Sequence, residues 1–124
     1  SIEDLDWISP KYQPRYKKAL DILKQRLGLL CLTLGSKGIK VYNRKRIRCT
    51  RPAPQITMED TVGAGDAFNA GLLVSLKRLN VLSRSAVLAQ SQNDLETAMR
   101  FASAFASDIA TRRGSDPAWN FIAP

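Results

Sequence analysis

The stretch Asp60-Thr61-Val62-Gly63-Ala64-Gly65-Asp66-Ala67-Phe68 places two glycines and an alanine where a loop enters a helix. Small residues let the backbone approach a ligand closely. The first N–H groups of a helix have no internal partner and favour an anion such as phosphate. Asp66 falls in the first helical turn, beside that anion position. Like charges repel, so a carboxylate there needs a reason. Accepting a proton from an attacking hydroxyl is one reason; complementing the helix dipole is a plainer one. An aspartate at each end of the stretch and the apolar helix behind it favour the first. No Lys-Ser/Thr pair follows the glycines, so this is not a Walker A loop.

Downstream, Ala67, Phe68, Ala70, Leu72, Leu73, Val74 and Leu76 cover nearly every face of a helix over about 64–79, which predicts deep burial. Residues 80–92 read as a loop with a helical turn. Asn93 and Glu96 form a capping box for a last helix, with Leu95, Ala98, Met99, Ala102, Phe105, Ala106 and Ile109 as its apolar stripe and Gly114 as its close. Upstream, Leu29-Leu30-Cys31-Leu32-Thr33-Leu34 is continuously apolar and reads as a buried parallel strand. A glycine-punctuated turn, Gly35-Ser36-Lys37-Gly38, follows it. Residues 39–42 and 46–50 alternate as a hairpin around Asn43-Arg44. Ser1 to Ile8 and residues 15–27 carry helical signals, separated by Pro10 and Pro14. This order predicts an α/β architecture with too few strands for a complete doubly wound sheet.

The chain has 124 residues, enough for one domain or part of one. It contains no histidine, which removes His-based acid–base catalysis and His-ligated metals from its own repertoire. Two cysteines, Cys31 and Cys49, form no CxxC pair and suggest a reducing compartment. No apolar run approaches a membrane span, and no secretory signal precedes the first helix. The first residue is Ser1, and with the short strand count this reads as a truncated chain. The formal charge is +8, and 13 Lys/Arg against one acid lie between Lys11 and Arg51. A nucleic-acid surface built on Arg44, Lys45, Arg46 and Arg48 is one reading of that cluster. A solvated helix face and a basic hairpin, balanced by acids elsewhere in a longer protein, is the favoured one. Trp7 reads as a packing anchor of the first helix; Trp119 has no assigned role.

Asp60-Thr61-Val62-Gly63-Ala64-Gly65-Asp66 resembles the C-terminal signature of the ribokinase/PfkB family of carbohydrate kinases. Thr33-Leu34-Gly35-Ser36-Lys37-Gly38 resembles the family's nucleotide-side turn, and Thr111-Arg112-Arg113-Gly114 its closing cation-site loop. The stretch from Asp60 to Gly71, with Asp116-Pro117 near the end, is similar to fructokinase-like members. The resemblance covers most of the chain. It implies the C-terminal portion of a three-layer α/β/α, Rossmann-like domain, with residues 1–124 as one partial domain holding the ATP side. It implies Asp66 as catalytic base and the amides of Gly63, Ala64 and Gly65 as an anion hole. Thr33, Gly35, Ser36, Lys37, Gly38, Gly65 and Ser103 would lie against ATP, Ser103 standing where many members place an asparagine. Asp60, with carbonyls of Val62, Ile109, Arg112 and Gly114, would surround a monovalent cation such as K⁺, and Mg²⁺ would arrive with ATP. The family's N-terminal sheet, lid, glycine pair and Asn-x-x-Glu motif have no counterpart here. The implied protein is a cytoplasmic sugar kinase whose isolated fragment is inactive without a missing N-terminal segment or partner chain, with a homodimer open for the full-length form. A nucleoside or small-alcohol kinase, or a non-catalytic nucleotide-binding or basic interaction module, stays open beside it.

Overall fold

Connection length sets the sheet. The computed structural model describes residues 21–23, 25–43, 48–116 and 120–121. Strands β1 (Leu29–Thr33), β2 (Ile39–Asn43) and β3 (Arg48–Arg51) form an antiparallel sheet in the order β1-β2-β3. Where a parallel strand is expected, β1 pairs antiparallel with β2, its one partner among the described residues. Only the 3₁₀ turn Gly35–Lys37 and its flanking residues join β1 to β2, whereas a parallel crossover needs about a dozen residues or more. The continuous apolar run has another cause: both faces of β1 are covered. Leu29 and Cys31 pack with Ile39, Val41, Cys49, Phe68, Met99 and Ala102, while Leu30 and Leu32 pack with Leu23 and Tyr42. All of β1 but Leu32 is only half-buried, consistent with an outer edge that pairs with no strand among the described residues.

Leu23 belongs to helical residues 21–23 and 25–26, so a helical segment covers one sheet face. On the other face lie α1 (Ala64–Arg78) and α3 (Gln92–Ala110), giving three layers; the short α2 (Arg84–Ala89) links them. Leu95, Ala98, Met99 and Ala102 of α3 are fully buried. Full burial of a Leu or Met side chain contributes about 1.5–3 kcal/mol, so this stripe anchors the layer. Gly71 of α1 meets α3 where a Cβ would lie 2.9 Å from the Ala102 Cα. Only a glycine allows the helices to cross that closely.

Several local expectations are corrected. Helix α1 is not buried all round: Leu73 and Val74 are 59% and 41% exposed, because only one side of it meets α3 and the sheet. Asn43 is a strand residue opposite Leu29 rather than a turn residue. Helix α3 is capped by Ser91, whose Oγ accepts the Asp94 N–H at 3.1 Å and donates to Asp94 Oδ2, two residues before the expected box. The helical turn expected within 80–92 is α2, capped by Ser83. The helix expected at Ser1–Ile8, most of that over 15–27, the Arg44-Lys45-Arg46 cluster, Trp7 and Trp119 lie outside the described residues. Both thiols are free, and burial pushes that of Cys31 up to about 12. No described helix is long and apolar enough to cross a membrane.

Candidate active site

Asp60 organises the loop ahead of α1. Its Oδ1 accepts the Val62 N–H at 3.0 Å and its Oδ2 the Gly114 N–H at 3.2 Å. The second bond joins positions 54 residues apart. These N–H groups, Val62 first, then Gly114, with a smaller part from Thr61, hold the Asp60 carboxyl below the usual carboxylate range against the opposing effect of desolvation. The backbone makes a second stitch: the Ala110 carbonyl at the end of α3 accepts the N–H groups of Glu59 and Asp60 at 2.9 and 3.3 Å.

Gly63 is the N-cap of α1 and sits in the left-handed region at φ 78°. A side chain there would be strained, and its Cβ would meet that of Ser115 at 2.7 Å. The Gly63 carbonyl accepts the first helical bond, from Ala67 N–H at 2.8 Å. Ala64 N–H turns back to the Thr61 carbonyl at 3.2 Å. The N–H groups of Gly65 and Asp66 have no acceptor among the described residues. Asp66 is exposed in that same first turn. A Cβ on Gly65 would meet nothing within 4 Å. The loop thus offers two open donors and the positive end of the α1 dipole beside an exposed carboxylate. Donors and dipole of this kind favour an anion, and a carboxylate beside them is of the kind that accepts a proton from a hydroxyl.

The sequence-predicted cation residues come together in one knot. Asp60, Val62 and Gly114 are directly bonded. Ile109 and Arg112 lie in the adjoining C-cap, where the Arg112 N–H donates to the Ile109 carbonyl at 3.0 Å. The Asp60 carboxylate itself is met by N–H groups, and the carbonyls of the neighbouring turn supply oxygens of the type a hard, weakly charged cation takes. The Arg112–Asp108 ion pair at 3.0 Å, half exposed on the arginine side, fastens the same turn weakly.

In the turn after β1, Gly35, Ser36 and Lys37 are exposed, Thr33 is half-buried and Gly38 is buried. The turn closes on itself: Leu34 N–H donates to the Gly38 carbonyl at 2.8 Å and Gly38 N–H to the Gly35 carbonyl at 2.9 Å. At φ 90°, Gly38 runs so close to β3 that a Cβ would lie 1.9 Å from the Arg51 carbonyl oxygen. Ile39 pairs with Arg51, so β3 leaves the sheet beside this turn, at the C-terminal end of β1. Ser103 is buried on α3, and no described hydrogen bond joins the Gly35–Gly38 turn to the Asp60 loop. Sequence reasoning missed Ala110 and Ser115. The first acts through its carbonyl and the second through packing on Gly63, and neither residue type advertises such a role.

The sequence profile described as "pfkB family carbohydrate kinase" matches residues 2–120. A fructokinase of Rhizobium leguminosarum bv. trifolii is 37% identical over 95 residues, 77% of this chain and 28% of that protein. Fructokinase-1 of Oryza sativa subsp. japonica is 37% identical over 98 residues, 79% of this chain and 28% of that protein. The chain thus spans about 28% of the length of these relatives. Among solved structures, fructokinase from Xylella fastidiosa with bound ATP superposes with a TM-score of 0.78 at 24% identity, covering 91% of this chain and 35% of that one. Aminoimidazole riboside kinase from Salmonella enterica, complexed with aminoimidazole riboside and an ATP analog, gives 0.71 at 25% identity, covering 92% and 35%.

Proposed function

The chain belongs to the pfkB family of carbohydrate kinases, and on that premise we propose that it forms the phosphate-handling part of an ATP-dependent sugar kinase of the fructokinase type. The observation that carries this reading is the pair of open N–H groups on Gly65 and Asp66 beside the exposed Asp66 carboxylate. Asp66 takes the proton from a sugar hydroxyl as that oxygen attacks the γ-phosphate of ATP in line. The loop amides of Gly63, Ala64 and Gly65 stabilise charge growing on the transferred phosphoryl group. Ala64 joins them in this reading by exchanging its 3.2 Å bond to Thr61 for the phosphoryl oxygen.

Thr33, Gly35, Ser36, Lys37 and Gly38 line the nucleotide, with Lys37 exposed to meet its phosphates and Ser103 on its adenine side. Asp60 and the carbonyls of Val62, Ile109, Arg112 and Gly114 hold a monovalent cation, K⁺ in this reading, whose charge supports the loop beside the phosphates. Mg²⁺ comes with ATP in this reading. Sugar contacts come from an N-terminal portion, in a longer chain or a second piece, and without it the chain is inactive because both reactants must be positioned. The reading places the activity in the cytoplasm and leaves room for a homodimer of the full-length enzyme.

The likeness to aminoimidazole riboside kinase supports a second reading, a nucleoside-type acceptor on the same machinery. A screen of sugars and ribosides on the longest natural chain carrying these residues, reading ADP release, separates the two. Fructose as best acceptor supports the first. A riboside as best acceptor selects the second, and no ADP release above background with any acceptor removes both.

A further inference from the structure

Phe121 lies beyond the turn that carries Gly114, and its ring returns to α3. It packs at 5.0 Å between centroids, tilted 52°, on Phe105, and at 6.0 Å, edge-on at 81°, on Phe101. Phe101 and Phe105 are one helical turn apart and share a face. The Arg78 guanidinium from the end of α1 sits 4.9 Å from the Phe101 centroid. One aromatic cluster therefore joins the tail, α3 and α1.

The turn 111–116 is held between two fixed points. At its start it is tied by the C-cap of α3, where Thr111 and Arg112 N–H groups bond back to Ser107, Asp108 and Ile109. Beyond its end stands the Phe121 ring. Between them the turn makes the Gly114 bond to Asp60 at 3.2 Å and the Ser115 packing on Gly63. One partly exposed bond of that length does not offset the entropy of ordering several residues of a turn fixed at one end alone. We propose that Phe121 is a positioning residue whose aromatic anchor keeps the Gly114 turn seated on the Asp60–Gly63 loop.

This rests on the packing and hydrogen bonds of the turn, not on the phosphotransfer reading, so either can fail without the other. The test is residue-resolved amide exchange on the full natural chain with Phe121→Ala. The Gly114 amide is expected to exchange at least tenfold faster while those of Met99 and Ala102 in the α3 core keep their rates. Phe121→Tyr, which keeps the ring, restores the parent rate at Gly114. Leu32→Ala, buried on the opposite sheet face, serves as the control for general destabilisation and accelerates the core amides together with Gly114. If Phe121→Ala does not fold, Phe121→Leu is read in the same way. An unchanged Gly114 rate, a rise only in step with Met99 and Ala102, or no recovery with Phe121→Tyr overturns the assignment.

Discussion

Gly65→Ala separates what the fold needs from what a ligand needs. Gly65 lies in the first turn of α1, outside the left-handed region, and a Cβ there meets nothing within 4 Å. Nothing in the folded chain therefore opposes the methyl group. Replacing glycine by alanine at a compatible helical position stabilises by about 0.4–1 kcal/mol, chiefly by restricting the unfolded chain. Equilibrium urea unfolding of Gly65→Ala is thus expected to shift the midpoint upward with an unchanged slope. The same methyl stands beside the open Gly65 and Asp66 N–H groups. A group arriving there meets the equivalent of an overpacked contact, which costs about 1–3 kcal/mol. With tenfold per 1.36 kcal/mol, kcat/KM for ATP in the complete kinase falls by about 5- to 150-fold. A more stable variant with poorer catalysis is the expected pair of results. If Gly65→Ala keeps the parent's kcat/KM within twofold, the glycine is not there for a phosphate and the anion site lies elsewhere.

Gly71→Ala is the opposite case: its Cβ would stand 2.9 Å from the Ala102 backbone, and about 1–3 kcal/mol of overpacking matches or exceeds the ~1 kcal/mol helix-propensity gain. Thermal melting is expected to fall, and a raised Tm would place the α1–α3 crossing farther apart than described. The depressed Asp60 carboxyl makes its loop acid-sensitive. Its contribution to stability is fully present above the ordinary aspartate value and is lost as pH falls through the lower folded-state value. Asp60→Asn should therefore be less stable than the parent at neutral pH, with the deficit shrinking on acidification; a deficit independent of pH would show that the two N–H bonds do not depend on the charge. Gly63→Ala combines a φ of 78° with a 2.7 Å approach to Ser115, so it is expected to destabilise by about 1–3 kcal/mol. Adding Ser115→Gly should recover only the packing part, and full recovery would deny the backbone strain.

What the sequence disclosed followed from how local each signal is. Gly63, Ala64 and Gly65 are legible because a tight helix entry demands small residues and a positive φ at one of them. The Gly35–Gly38 turn was legible for the same reason. Strand direction was not, because the apolar run at Leu29–Thr33 records only that both faces are covered; the short connection to β2 settles pairing. The α3 cap was misplaced because Asn93-x-x-Glu96 and Ser91-x-x-Asp94 satisfy the same rule. The end of α2, where the Gln90 side chain bonds the Ala86 carbonyl, leaves Ser91 as the one residue before α3. The outer face of α1 read as core because Leu73 and Val74 are apolar, and pattern alone does not say which neighbours a helix meets. Ala110 and Ser115 were silent because a carbonyl or a backbone contact made by a distant turn leaves no mark in residue type.

Turnover of Asp66→Asn in the complete enzyme bears most directly on the central claim, since asparagine keeps the shape of the side chain and cannot take a proton. With ATP affinity measured alongside, the account predicts a kcat lower by about 10²–10⁴-fold at nearly unchanged nucleotide binding. A kcat within a few-fold of the parent contradicts it.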